Sequence, residues 1–227
     1  MKEKNIFFSS VTDPYQPLEK EYGRTRAALE QLQGSGAKIA ISTKSDLILR
    51  DLDLIRTFPD VRISWSINTL DEDFKAKTDK GASIARRLEA MKKFYEAGVH
   101  TTLFISPIFP GISDPIELIE AAKDRCNLVW LENLNLRGSY KPAILELIKE
   151  NYPELVDLYD RIYNKKDRSY WFELNEKLKD YTSKEGMTYL RDDDSRLSAF
   201  GEKPVVVNYF FHEEVRKSSR KENSIEV

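Results

Sequence analysis

Residues 7–19 read FFSSVTDPYQPLE, and within a few positions this stretch changes from aromatic to polar side chains. Aromatic residues such as Phe7 and Phe8 are enriched in strands, where they pack on a half-buried surface. Hydroxyl and carboxyl groups follow at Ser9, Ser10, Thr12 and Asp13. The stretch therefore predicts a buried strand with a polar carboxyl end.

The same unit recurs along the chain. The strand-like runs AKIAISTKS, VRISWSINT, HTTLFISPI and NLVWLENLN follow NIFFSSVT, and amphipathic helical segments separate them. Units of roughly 25 to 40 residues suit right-handed β-α-β crossovers, so we expect parallel strands covered by helices. The chain has no Gly-rich G-x-G-x-x-G or G-x-x-x-x-G-K-S/T turn, which favours a partial (β/α) TIM-like barrel over an open doubly wound sheet.

Every predicted strand becomes polar at its carboxyl end. The later strands end in Ser42, Thr43 and Lys44, in Ser66, Asn68 and Thr69, in Ser106, and in Glu132, Asn133 and Asn135. In parallel α/β folds ligands bind outside these ends, because the ends and their loops converge on one face. Such residues also cap helices, so one position alone is weak evidence. Their repetition in all five units favours a ligand site.

The pattern changes after residue 138. We expect residues 1–138 to form the partial barrel and residues 139–227 a helical extension with a last strand, KPVVVNYFF, and a charged tail. The extension is rich in aromatic residues, at Tyr152, Tyr159, Tyr163, Tyr170, Trp171, Phe172 and Tyr181. A core role is favoured over a substrate-stacking surface, because large aromatic residues dominate helix packing.

Composition limits the function classes. The formal net charge of −2 gives no support for non-specific nucleic-acid binding, although a nucleic-acid substrate is not excluded. No apolar run reaches the roughly 20 residues of a membrane span, and MKEKNIFF lacks the features of a signal peptide. We therefore expect a cytoplasmic protein without membrane partners. The single cysteine, Cys126, excludes an internal disulfide and any site needing several thiolates from this chain.

Other conspicuous groups are better explained without a catalytic role. The acidic run at residues 192–194 lacks the ligand spacing of an EF-hand and is interpreted as a solvated turn. His100 begins a strand at the end away from the polar groups. Arg50, Asp51 and Asp53 are interpreted as charges on a helix surface, with Asp46 and Arg50 as i,i+4 neighbours.

Five segments taken together resemble radical SAM proteins related to spore photoproduct lyase, the DNA repair photolyase-like group. They are SSVTDPYQPLEKEYGRTRAAL, ISTKSDLILRDLDLI, SINTLDE, FISPIFPGISD and VWLENLNLRGSYK, and the resemblance as a whole covers about residues 5 to 175. The resemblance implies a barrel that holds a 4Fe–4S cluster and S-adenosylmethionine (SAM). Reductive cleavage of SAM would give a 5'-deoxyadenosyl radical that abstracts hydrogen from a substrate.

The resemblance also implies contacts to the amino-acid part of SAM. Thr12 and Asp13 fall where the family holds the ligand's amino group, and a carboxylate facing an ammonium forms a charge-assisted pair. Lys44, which looks unpaired at its strand end, would face the ligand's carboxylate.

The remaining contacts would be to the adenosine part. Ser66 and Asn68 occupy the ribose-contacting position, where hydroxyl and amide groups both donate and accept. The segment from Ser106 through Gly111 resembles the loop beside adenine. For Glu132, a role in the site and an internal pair with Arg137 are equally favoured.

The sequence departs from the family in its cysteines. The family holds its cluster with C-x-x-x-C-x-x-C, which this chain lacks, and Cys126 alone cannot replace three thiolates. We therefore expect this chain by itself neither to hold the cluster nor to generate the radical. The alternatives are an N-terminally truncated or split chain and a degenerate relative, and the intact adenosine-binding segments favour truncation. The expected partners are a separate N-terminal segment or a second copy that associates through the exposed edge of NIFFSSVT. The lyase's hydrogen-donating cysteine aligns with Ser10, which argues against photoproduct repair and leaves the substrate unknown.

Three functional hypotheses are open from the sequence. The first is an incomplete radical SAM enzyme, with no catalytic residue assigned in this chain. The second is a SAM- or nucleotide-binding module without radical chemistry. The third is an unrelated (β/α)-barrel enzyme that uses Asp13, Lys44 and Glu132 for acid–base catalysis.

Overall fold

A computed structural model of the chain describes residues 4–9, 11–191 and 206–210, with residue 191 and residues 206–210 as backbone only. One sheet contains the strands β1 (Asn5–Phe8), β2 (Lys38–Thr43), β3 (Val61–Ser66), β4 (His100–Ile108), β5 (Leu128–Asn133), β6 (Thr188–Arg191) and β7 (Val206–Phe210). Their order is β1-β2-β3-β4-β5-β7-β6, and every neighbouring pair is parallel. The predicted α/β fold with five parallel strands is confirmed, and two further strands extend the sheet.

Helices connect these strands. They are α1 (Glu19–Tyr22), α2 (Arg24–Leu32), α3 (Leu52–Ile55), α4 (Glu72–Thr78), α5 (Ile84–Glu96), α6 (Pro115–Ala122), α7 (Tyr140–Asn151), α8 (Val156–Tyr163) and α9 (Ser169–Lys184), with 3₁₀ turns at Leu47–Asp51 and Pro153–Leu155. Side-chain caps define where several helices begin. The carboxylate of Asp71 accepts hydrogen bonds from two backbone N–H groups of α4, and that of Asp114 does the same for α6. These residues satisfy amides that a helix start leaves unpaired. None of the helices in the described ranges is long and apolar enough to cross a membrane.

The core lies between the sheet and its helices. Strands β2 and β3 alternate buried and half-buried positions, so one face packs and the other stays partly open. On the packed face, Trp65 contacts Phe94 of α5 with ring centroids 5.4 Å apart. A second apolar cluster joins Phe74 and Phe109 to the C-terminal helices through Ile148 and Tyr159. The strand ends are therefore supported from both the helical layer and the C-terminal extension.

The aromatic residues of the extension are mostly core residues, as predicted. Tyr159 and Trp171 are buried, whereas Phe172 is half exposed. The division of the chain at residue 138 stays a prediction. Strand β7 of the predicted extension pairs directly with β5 of the predicted barrel, so both parts contribute to one sheet. The predicted last strand is present as β7, and the acidic run at residues 192–194 and the tail lie outside the described residues.

Several element predictions were wrong in detail. Strand β1 ends at Phe8, and Ser9 has a left-handed backbone with φ 97°. The first predicted helix is two helices, because Gly23 takes φ 59° between α1 and α2. The segment DLILRDLDLIRTF forms a 3₁₀ turn followed by the short α3 rather than one amphipathic helix. Helix α4 and strand β6 were not predicted.

Candidate functional site

Asp13 connects the loop after β1 to the end of β2. Its Oδ1 accepts hydrogen bonds from the backbone N–H of Tyr15 and the hydroxyl of Thr43, both at 2.8 Å. Its Oδ2 accepts the backbone N–H of Lys44 at 2.6 Å. The carboxylate that the resemblance placed near the ligand's amino group therefore also holds its own loop against the end of β2. It remains half-buried, at the edge of a cleft.

A buried charge cluster supports this loop from behind. The hydroxyl of Tyr15 donates to Asp51, and Arg50 donates to both Asp51 and Glu19. Burial opposes ionisation of Asp51, but hydrogen bonds from Arg50 and Arg26 outweigh it and hold the pKa of Asp51 below its ordinary value. The helix-surface interpretation was wrong for Asp51, which is fully buried.

Lys44 is not unpaired, contrary to the sequence-based expectation. Its Nζ lies 3.5 Å from Asp79, in the loop after α4. Asp79 is itself held by the guanidinium of Arg87, through two hydrogen bonds of 2.8 Å. Burial would raise the pKa of Asp79, but Arg87, the Gly81 amide and Lys44 favour the charged form and keep that pKa low.

The ends of β3, β4 and β5 form a separate hydrogen-bonded group. The hydroxyl of Ser66 donates to the carbonyl of Ser106 at 3.3 Å, and the amide of Asn68 donates to the carbonyl of Pro107 at 3.3 Å. The hydroxyl of Ser106 donates to Glu132 at 2.8 Å. These predicted site residues thus lie together at one edge of the sheet. Their side chains hold neighbouring strand ends in register.

Arg87 connects the two groups. From α5 it donates to the carbonyl of Ser66 at 2.8 Å and to Asp79, the partner of Lys44. Its side chain is only 2% exposed. A buried guanidinium is stabilised only when its donors are satisfied, as they are here. No local pattern predicts this role, because Arg86 and Arg87 are adjacent in one amphipathic helix.

A cleft of about 1100 Å³ opens beside Asp13 and Lys44. Asp79, Arg50 and Arg86 also line it, so charges of both signs surround it. Ser66, Asn68, Ser106 and Glu132 do not line this cleft. The acid–base hypothesis required Glu132 to meet Asp13 and Lys44, and the structure instead bonds Glu132 to Ser106.

Thr12 lies apart from this network. Its side chain is exposed, and it lines a smaller cavity of about 430 Å³ together with Asp13 and Tyr22. The aligned position Ser10 lies outside the described residues. The residues that sequence reasoning missed are Asp79 and Arg87, both brought to the strand ends by helices rather than by the strands themselves.

Comparison with known proteins identifies the family. The family model of the Radical SAM superfamily matches residues 1–124, which is more than half of the chain. The chain belongs to the radical SAM superfamily. Among its relatives, an uncharacterized protein of Methanocaldococcus jannaschii is 36% identical over 161 residues, covering 70% of this chain and 60% of that protein. This radical SAM chain thus spans about 60% of the length of that relative.

Two viral relatives extend the comparison. An uncharacterized protein of Acidianus two-tailed virus is 32% identical over 181 residues, covering 72% of this chain and 60% of that protein. A protein of Pseudomonas phage M6 named radical SAM Nalpha-GlyT isomerase is 23% identical over 197 residues, covering 81% of this chain and 41% of that protein.

A solved structure shows the same fold. The SAM-bound crystal structure of Streptococcus suis SuiB matches with a TM-score of 0.56 and 16% identity, covering 92% of this chain and 39% of SuiB. A second crystal structure of SuiB matches with a TM-score of 0.58 and 17% identity, covering 98% of this chain and 42% of SuiB. The predicted partial TIM-like barrel of the radical SAM chain is confirmed at the level of the fold.

The side chains of this radical SAM chain match the chemistry of SAM but not that of a 4Fe–4S cluster. A carboxylate, an ammonium and several hydroxyl and amide groups are the chemistry that SAM requires, and the strand ends carry them at Asp13, Lys44, Ser66 and Asn68. A 4Fe–4S cluster requires several thiolates, and the one cysteine of the sequence is Cys126. Cys126 is buried beside the amino end of β5, where burial raises the pKa of its thiol to about 12.

Proposed function

We propose that this radical SAM chain binds SAM at the carboxyl ends of β1 to β4. The ammonium of Lys44 carries this proposal, because its side chain is 45% exposed and lines the same cleft as Asp13. Lys44 would bind the ligand's carboxylate, and Asp13, with Thr12 beside it, would face the ligand's ammonium. Two opposite charges at one cleft match the amino-acid part of SAM.

The adenosine part would lie toward the next strand ends. Ser66 and Asn68 would contact the ribose, and the loop that begins at Ser106 would lie beside adenine. These hydroxyl and amide groups already bond to neighbouring carbonyls through one donor each. Hydroxyl oxygens and amide groups have further donor or acceptor capacity, so a ligand can be bound without breaking those contacts.

At the family level, SAM bound at a reduced cluster supplies a 5'-deoxyadenosyl radical for hydrogen abstraction. We assign the chain to the spore photoproduct lyase-related group, on the five segments quoted above. The cluster thiolates would come from outside this chain, in a separate or preceding segment. The substrate is left unassigned, with nucleic acid as one class to test.

Calorimetric titration of SAM into the purified, iron-free chain tests the proposed site. Wild type should bind, and Lys44→Ala and Asp13→Asn should each weaken binding by about tenfold or more, because each removes one charge-assisted contact. Lys92→Ala is the matched control, because the side chain of Lys92 on α5 is also 45% exposed. Absence of binding by a folded wild-type chain, or equal loss in the Lys92 variant, would contradict the proposal.

A further inference from the structure

The loop after α4 is built around Lys44. The backbone N–H of Ala82 donates to the carbonyl of Lys44 at 2.9 Å, and the Gly81 amide donates to Asp79. A Cβ added at Gly81 would lie 2.7 Å from the Cβ of Lys44 and 2.8 Å from its carbonyl oxygen. Contacts of this length are not tolerated, so the loop approaches Lys44 as closely as its backbone allows.

Asp79 is shared unequally between two cations. Arg87 binds it through two hydrogen bonds of 2.8 Å, whereas the Nζ of Lys44 lies 3.5 Å away. The side chains of Asp79 and Arg87 are 7% and 2% exposed, while that of Lys44 is 45% exposed. The carboxylate of Asp79 therefore binds mainly Arg87, and its longer contact with Lys44 orients the ammonium of Lys44.

Lys44, Asp79 and Arg87 together carry one net positive charge, and of the two cations only Lys44 lines the cleft. Lys44 and Arg87 contribute two positive charges and Asp79 one negative charge, so the group is neutralised by one incoming carboxylate. An ammonium on a flexible four-carbon stem is costly to order on binding, and a pre-existing contact lowers that cost. Lys44 is therefore held in place and can still bind an anion.

We propose that Asp79, fixed by Arg87, is a positioning residue that directs Lys44 at the ligand's carboxylate and so determines specificity for adenosyl ligands with an intact amino-acid part. This inference rests on the proposed SAM site. Arg87 also donates to the carbonyl of Ser66. The same guanidinium thereby sets the distance between the carboxylate-binding and ribose-binding parts of the site.

The test compares two ligands. SAM carries the carboxylate, and 5'-methylthioadenosine lacks the amino-acid part. In Asp79→Asn we expect SAM affinity to fall about tenfold while methylthioadenosine affinity stays within about twofold of wild type. A merely structural role would lower both affinities together, which would overturn the inference. An unchanged SAM affinity would overturn it as well.

A double-mutant cycle with Lys44→Met tests whether Asp79 acts through Lys44. Asp79→Asn should have no further effect on SAM affinity in the Lys44→Met background, because coupled residues are not additive. Equal effects in both backgrounds would contradict the inference. A wild-type chain that binds neither ligand would instead contradict the proposed site itself, so the two failures are distinguishable.

Asp79→Glu covers the case in which Asp79→Asn does not fold. Glutamate keeps the charge that Arg87 requires but displaces the carboxylate by one methylene. Circular dichroism identifies the folded variants. We expect the same selective loss of SAM over methylthioadenosine, and a parallel loss of both ligands would overturn the positioning role.

Discussion

The phenol oxygen of Tyr15 lies 3.1 Å from the fully buried carboxylate of Asp51, 36 positions later in the chain. Burial and the negative charge of Asp51 both raise the pKa of the Tyr15 phenol above its ordinary value, so this group remains a donor. Through this contact the loop that carries Asp13 is held against the 3₁₀ turn after β2.

The first prediction concerns this buried contact. Tyr15→Phe should lower the free energy of unfolding by about 1 kcal/mol, since Arg50 and Arg26 still satisfy Asp51. Asp51→Ala should cost about 3 kcal/mol, because it leaves two arginines and a buried phenol without their carboxylate. Urea denaturation measures both. Asp53→Ala is the control, because Asp53 also binds Arg26 but is exposed, and a loss there equal to that of Asp51→Ala would refute the prediction.

The second prediction concerns Gly81. Gly81→Ala should destabilise the protein by about 1–3 kcal/mol and weaken SAM binding, because the new methyl group displaces Lys44. Gly36→Ala is the comparison, since Gly36 takes φ 69° in open space at the amino end of β2. It should lower stability through backbone strain and leave SAM affinity unchanged. Equal SAM affinities in the two variants would contradict the role of the close approach.

The third prediction concerns His100. Burial and the nearby positive charge of Arg62 lower the pKa of this residue to about 4. Between pH 6.5 and about 4 the unfolded chain binds this proton and the folded chain does not. Stability should therefore fall as pH falls through this window, by up to about 1.4 kcal/mol per pH unit. Asp51 and Asp79, with lowered pKa values, lose their contribution only below about 3.8.

Urea denaturation at several pH values checks this. The His100→Asn variant should lose the slope between pH 6.5 and 4. Retention of the full slope in His100→Asn would refute the assignment.

The fold was largely predictable, and the reasons are local. Period-two alternation in β2 and β3 and polar strand ends are visible in the sequence, so β1 to β5 and their direction could be inferred. Strand β6 has only four residues directly after a long helix, which is too short for a periodic signal.

The site was predictable only in part. Ser66 is the last residue of β3, Asn68 follows that strand and Ser106 lies near the end of β4, and the structure does place them together. The Lys44 contact was missed because Asp79 is far away in sequence and reaches it only through the packing of α4 and α5. Tertiary contacts of this kind carry no local pattern.

The fourth prediction concerns iron. Anaerobic treatment of this chain with ferrous iron and sulfide should yield no stable 4Fe–4S cluster, because its one cysteine is buried and donates to the carbonyl of Ala122. Iron and sulfide content and the visible absorption spectrum measure this. Cys126→Ala should behave like wild type, and a cluster that is lost in this variant would show that Cys126 is a ligand after all.

The position of β7 between β5 and β6 has a consequence for synthesis on the ribosome. Within the described residues β6 pairs with no strand other than β7, although β6 comes earlier in the chain. Residues 188–191 must therefore wait for residues 206–210 to leave the exit tunnel before they can join the sheet. The order of translation and the order of assembly are therefore reversed at this edge, because β7 pairs with β5 and β6 then adds to the outer side of β7.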